Sequence, residues 1–112
     1  MTMIRLKPLW WFASEGQPLS WDHDDAPVYP VFTSEQHAER CLREIKTRGV
    51  MPQGTSIEDV PFAELCDHVF EHNGRFALDP PDDTRYRPLD LRRMMEAYCE
   101  AQLPNYKPGA MN

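Results

Sequence analysis

Ile4, Leu6, Trp10 and Phe12 share one parity along the chain while Arg5 and Lys7 occupy the other, the period-two pattern of a strand with one buried face. Pro8 interrupts the run and predicts an edge or a bend. Ser14-Glu15-Gly16-Gln17 has turn chemistry, and Leu19 and Trp21 resume the alternation, so the first two strands are expected to form a hairpin. After the polar cluster Asp22-His23-Asp24-Asp25, Val28-Tyr29-Pro30-Val31-Phe32 reads as a third strand, and the N-terminal third as a β-meander. If Trp10 packs inward with Phe12, Leu9 and Trp11 face the other side, because neighbouring side chains of a strand alternate. There they are covered by a helix, by a second copy of the chain or by a protein ligand, which makes Trp11 a candidate partner-binding residue.

The period then changes to that of a helix. Thr33 with Gln36 has capping-box spacing, and Ser34 is an alternative cap one residue on. Ala38, Cys41, Leu42 and Ile45 form an apolar stripe, with Glu39–Arg43 and Glu44–Arg48 as i,i+4 pairs on the wet side and Gly49 as the stop. A short strand is expected at Val50-Met51. Asp59 and Pro61 then suit the cap and first turn of a second helix, with Phe62, Leu65, Cys66, Val69 and Phe70 as its stripe. Asn73-Gly74 ends that helix, Arg75 to Asp79 alternates as a strand, and Leu91, Met94, Met95 and Tyr98 recur as a third helix closing near Leu103-Pro104.

This order predicts an α+β fold: an antiparallel sheet of four or five strands with two or three helices packed mainly on one face. The 112 residues, 41% of them hydrophobic, suit one domain over residues 1–104 followed by a flexible C-terminal tail at 105–112. The longest apolar run, Leu9 to Ala13, falls far short of the roughly 20 residues that span a bilayer, so no membrane association is expected. Three widely spaced cysteines, Cys41, Cys66 and Cys99, fit free thiols in the cytoplasm better than a disulfide framework.

Twelve basic against eighteen acidic side chains leave a formal charge of −6, which repels a phosphate backbone and argues against nucleic acid as a partner; Arg92 and Arg93 form only a small basic spot. Between residues 50 and 84, Arg75 stands alone against eight acids. Of these, Glu58, Asp59, Glu64, Asp67 and Glu71 are candidate partner-binding residues for a basic protein, on a surface that otherwise simply aids solubility. Glu64, His68 and His72, at i, i+4 and i+8 on the second helix, are the candidate metal ligands, since that interval stacks side chains on one face. The helix's stripe places Glu64 and His68 on its solvated side, and no HExxH or Cys-x-x-Cys pattern accompanies them. Asp22 to Asp25 lacks the calcium-loop pattern and reads as a solvated turn. The cysteines fall on or beside apolar stripes, where burial disfavours the nucleophilic thiolate. No phosphate loop or nucleophile elbow is present, so neither catalysis nor a cofactor is expected.

The run Pro30-Val31-Phe32-Thr33-Ser34 into a helix, Val60-Pro61-Phe62 into a second, and Asn73-Gly74-Arg75-Phe76-Ala77-Leu78-Asp79-Pro80 after it resembles the N-terminal domain of SseB-family bacterial proteins, with Asp79 where that family has asparagine. It is also similar to a related group of small bacterial domains of unknown function, with Trp10 or Trp11, Ala38 and Cys41 as counterparts. The likeness covers roughly residues 9 to 80. It implies an α+β domain without established catalytic residues and a role in protein interaction. The expected function is thus a non-catalytic interaction or regulatory module of a bacterial cytosol, self-associating or binding a basic protein. The alternative is a small metal-binding protein or enzyme using the Glu64, His68 and His72 face.

Overall fold

The computed structural model describes residues 7–24, 26–49, 52 and 54–102, with side chains described as far as residue 100. Ile4, Arg5, Leu6, Asp25, the expected strand at Val50-Met51, Leu103-Pro104 and the tail lie outside the described residues. The elements follow as β1 (Leu9–Ser14), β2 (Gln17–Pro18), β3 (Trp21–His23), β4 (Ala26–Phe32), α1 (Glu35–Lys46), β5 (Ser56–Val60), α2 (Phe62–Glu71), β6 (Arg75–Leu78) and α3 (Leu91–Gln102).

The fold is α+β, with six strands in one sheet and three helices. β1 and β4 are its central strands. They pair antiparallel through Trp10↔Phe32 and Trp11↔Val31, β5 extends β1 on its other side, and β6 extends β4 on the side away from β1. The β4–β6 pair is parallel, while the other pairs are antiparallel. Among the described residues the expected N-terminal meander does not form. The expected second strand breaks at Leu19-Ser20 into β2, which folds back on the end of β1, and β3, which pairs with the start of β4. These two short strands fill the fork where β1 and β4 diverge. Pro30 sits within central β4 because of that fork. Val31 directs its carbonyl to Asp79 on the β6 side, so residue 30 faces the opposite side, at the gap between the last β3 pair (Val28) and the first β1 pair (Val31), where no ladder donor is required.

Both faces of the central strands are covered, because Leu-Trp-Trp-Phe-Ala and Val-Tyr-Pro-Val-Phe are apolar at every position rather than at alternate ones. Phe12 and Phe32, 5.1 Å apart, pack under Ala38, Cys41, Leu42 and Ile45 of α1. Leu9, Trp11, Tyr29, Val31 and Phe76 pack on the opposite face under α2 and α3, with Leu65, Val69, Met94 and Tyr98. Two helices therefore lie on one face and the third alone on the other.

Local chemistry decides both helix starts. Of the two caps the sequence offered for α1 the alternative, Ser34, is the one used, its oxygen accepting from the His37 N–H at 3.2 Å. Thr33 is held instead by Asp79, whose carboxylate accepts from the Thr33 N–H at 2.9 Å and the Thr33 hydroxyl at 2.8 Å. Asp59 is no helix cap, because residues 56–60 form β5 along β1, Asp59 opposite Trp10, and Pro61 takes the cap position without a side-chain bond. The register that buries Val60 beside Leu9 outweighs the local capping preference. The stop after α2 divides its labour. Asn73 takes the left-handed conformation (φ 52°), while Gly74 is required for space: a Cβ there would stand 2.9 Å from the Tyr29 ring and 3.1 Å from the Pro27 carbonyl.

Leu65→Ala removes a fully buried side chain and is expected to lower stability by about 2–5 kcal/mol, whereas Glu64→Ala, on the exposed side of the same helix, should leave urea melts unchanged. Gly74→Ala should lower stability by about 1–3 kcal/mol, since a packed ring and a main-chain carbonyl must both move; an unshifted melting temperature would contradict that contact.

Candidate interaction surface

The rotation of α2 about its axis decides which candidates reach solvent. Leu65 and Val69 point at the sheet, and at 3.6 residues per turn His68 and His72 fall on one flank of that line, with Cys66 and Phe70 on the other. His68 is therefore not on the solvated side. Its ring stands edge-on to Trp11 at 5.6 Å and to Tyr29 at 5.2 Å, and His72 stacks on it at 4.2 Å. His72 Nδ1 donates to the His68 carbonyl at 2.8 Å. Burial, and then the neighbouring His72, push the His68 pKa down, with Glu71 acting weakly the other way. Glu64, one turn before His68, is exposed. Among the described residues no three His, Cys, Asp or Glu side chains are grouped so as to hold an ion, Glu64, His68 and His72 included.

Trp11 is 8% exposed. Of the three covers open to it, the helix is the one present: α2 lies over it, so Trp11 offers no free ring to a partner in this conformation.

The acidic segment divides into two groups. Asp79, Asp82 and Asp83 serve the fold. Asp82, 6% exposed, accepts from the Thr84 N–H and hydroxyl at 2.8 Å each and from the Arg85 N–H and Nε at 2.9 Å, which holds its carboxyl well below the usual range. Arg48, expected to pair with Glu44, instead reaches Asp83 at 2.7 Å and Asp82 at 3.9 Å. Glu58, Asp59, Glu64, Asp67 and Glu71 are exposed. Strand alternation separates the first two: Glu58 shares the side of Trp11 and hence of α2, while Asp59, opposite Trp10, shares the side of α1. The acidic surface on the α2 side is therefore Glu58, Glu64, Asp67 and Glu71.

Beside it runs an apolar seam that the sequence pattern had assigned to the core. Phe70 is 74% exposed, Met95 48% and Leu91 37%. α2 and α3 lie antiparallel, Phe62 stacking on Tyr98 at 4.0 Å at one end while Phe70 and Leu91 share a hollow of about 240 Å³ with Cys66 and Val69 at the other. Leu91 continues into a second hollow of about 530 Å³ lined by Met95, Cys99, Arg92 and Glu96. Both helices present an apolar arc broader than the sheet face beneath can cover. A full set of i, i+3 and i+4 positions reads as core in sequence, and the breadth of the arc was the only signal of the exposed remainder.

A basic area adjoins the start of α3. Arg75, Arg87 and Arg93 surround a hollow of about 250 Å³ with Pro88 and Asp90, and Arg92 lies beside it. Only Arg92 and Arg93 stood out as a pair in sequence; Arg75 and Arg87 join them because residues 85–89 return beside β6, where Phe76 and Leu89 exchange backbone hydrogen bonds at 2.9 and 2.7 Å.

The remaining candidates have structural surroundings. His23 lies 3.3 Å from Asp24 and 3.2 Å from the Tyr86 hydroxyl, whose ring packs on Trp21 at 5.1 Å, and Asp24 takes the left-handed turn conformation (φ 49°) while Asp22 points to solvent. Burial, then the charges of Asp82 and Asp83, lift the Cys41 thiol to about 12, and burial beside Asp67 lifts Cys66 to about 11, so neither supplies a thiolate near neutral pH. All three cysteines are free. No helix among the described residues is long and apolar enough to cross a membrane. In comparison with known proteins, no family model matches the chain and no curated protein matches it.

The His68 surroundings predict a pH dependence. Its folded pKa lies below its unfolded one, so as pH falls from about 7.5 to about 5.5 the unfolded chain takes up a proton that the folded chain resists, and stability declines. His68→Gln should flatten that part of the profile in urea unfolding across this range. An identical slope in both proteins would show that the ring is not the group responsible.

Proposed function

We propose that this chain is a non-catalytic protein-interaction module whose docking face is the outer surface of α2 together with its seam against α3, and whose ligand is a basic, partly apolar protein segment. The observation that carries this reading is Phe70: a phenylalanine 74% exposed, continuous with Leu91 and Met95 and flanked by Asp67 and Glu71. Isolated exposed apolar side chains are ordinary, but three adjoining ones along a groove, with acids on its α2 side and Arg92 and Glu96 on its α3 side, have the composition of a binding patch. The apolar seam supplies affinity, and the carboxylates select and steer a basic partner.

The raised thiol pKa values of Cys41 and Cys66 support a binding role over chemistry. We place the protein in the cytoplasm, in keeping with its three free thiols. We also keep as a proposal its kinship with SseB-like domains, to which the Asp79 clamp lends a physical motive: a side chain that accepts from Thr33 while its backbone adopts φ 48° is a natural role for aspartate or asparagine.

The test is fluorescence anisotropy with an arginine-rich amphipathic helical peptide. Binding is expected, weakening as salt is raised and falling roughly tenfold or more with Phe70→Asp. Glu39→Lys, on the exposed side of α1 across the sheet, should leave it unchanged. No binding at low salt, or equal loss with both variants, overturns the reading.

A further inference from the structure

A chain of net charge −6 brings three arginines to one hollow. They come from separate stretches. The backbone bonds exchanged by Phe76 and Leu89 turn both of those side chains toward the core, so Arg75, one residue before Phe76, lies opposite Asp90 on the outward side. Asp90 then opens α3, its Oδ1 accepting from the Arg93 N–H at 2.8 Å, and Arg93 stands on the same flank of the helix while Met94 turns inward. Arg87 joins them from the segment that returns beside β6. With Pro88 they surround the hollow of about 250 Å³, which shares no lining residue with the apolar seam on the other side of α3.

The fold does not use these charges. Among the described residues Arg75, Arg87 and Arg93 have no carboxylate within ion-pair distance and no side-chain hydrogen bond. The acids nearest along the chain are engaged elsewhere: Asp79 by Thr33, Asp82 and Asp83 by Arg48 and Arg85, and Glu96 by Arg92. Asp90 alone brings a carboxylate to the hollow, and one of its oxygens caps α3. Like charges held together repel, and an anion among them relieves that repulsion.

We infer that this hollow binds a phosphomonoester, held by Arg75, Arg87 and Arg93. The inference goes beyond the docking role and stands without it. The three guanidinium charges exceed the Asp90 carboxylate by two, which a phosphomonoester matches at about −1.5 to −2 near neutral pH. A carboxylate or a phosphodiester brings one charge. A guanidinium is a planar fork that pairs with phosphate oxygens, and three forks from three stretches of chain address the three terminal oxygens that a monoester has and a diester lacks. The hollow is smaller than the roughly 300–1,000 Å³ of pockets that enclose a whole ligand, so it takes the phosphoryl group while what bears that group stays outside.

Titration with phenyl phosphate at low ionic strength, followed through the NMR amide signals of residues 75 and 87–93, tests this. Saturable binding of one phosphate per chain is expected. Arg87→Gln and Arg93→Gln, both at exposed positions, should each weaken it roughly fivefold or more. Asp90→Asn keeps a capping oxygen and removes the opposing charge, so it should tighten binding. Arg40→Gln, exposed on α1 across the sheet, should change nothing. A phosphoserine within a glycine-rich peptide is the second probe. If it binds at least as tightly as phenyl phosphate, the natural ligand is a phosphorylated protein side chain; if it binds more weakly, the ligand is a small molecule. Shifts that never saturate, equal shifts with acetate at the same ionic strength, or equal loss with Arg40→Gln overturn the inference.

Discussion

The structure depends on the antiparallel pairing of β1 with β4, two strands apolar on both faces. Trp10 opposite Phe32 and Trp11 opposite Val31 set a register in which neither side of the sheet tolerates water. Each side must then be covered, and three helices are divided between them: α1 over Phe12 and Phe32, α2 and α3 over Trp11, Tyr29 and Val31. A slip of one residue would exchange the two apolar sets and set the aromatic side of one core against the wrong helix. The Asp79 clamp on Thr33 reinforces this arrangement where β4 gives way to α1, tying the end of β6 to the first residues after the central strand.

From that constraint follows the division of the acidic residues. The turn after β6 gathers Asp82 and Asp83 around Arg48 and Arg85, fastening the end of α1 to the loop before α3. The same carboxylates lie close enough to Cys41 to raise its thiol further, which makes that corner structural rather than reactive. The acids of α2 have no such employment. They line the surface beside a helix whose inward face is already filled by Leu65, Val69 and the His68 ring, and what remains outside is charge with one large apolar side chain, Phe70.

Much of the fold was legible because periodicity reports burial. The α1 stripe of Ala38, Cys41, Leu42 and Ile45 is buried as its spacing predicts, and Leu65, Val69, Met94 and Tyr98 hold the inward positions of their helices. β5 was not legible: Ser56-Ile57-Glu58-Asp59-Val60 is polar at most positions, and only its place along β1 makes it a strand. His68 was misplaced for a related reason. A polar side chain at the margin of a stripe is assigned to water by pattern alone, whereas Trp11 and Tyr29 offer it aromatic edges.

The sequence by itself determined the α+β class, the helical stripes and the turn positions, because these depend on local spacing and on residues such as Asn73 and Gly49 that accept a left-handed backbone. Tertiary structure alone decided which acids are bound into the fold and which are exposed, that Trp11 lies under a helix, and that Phe70, Leu91 and Met95 share a groove. The physical reason is that periodicity gives the direction in which a side chain points, while the extent of the neighbouring surface decides whether anything is there to meet it.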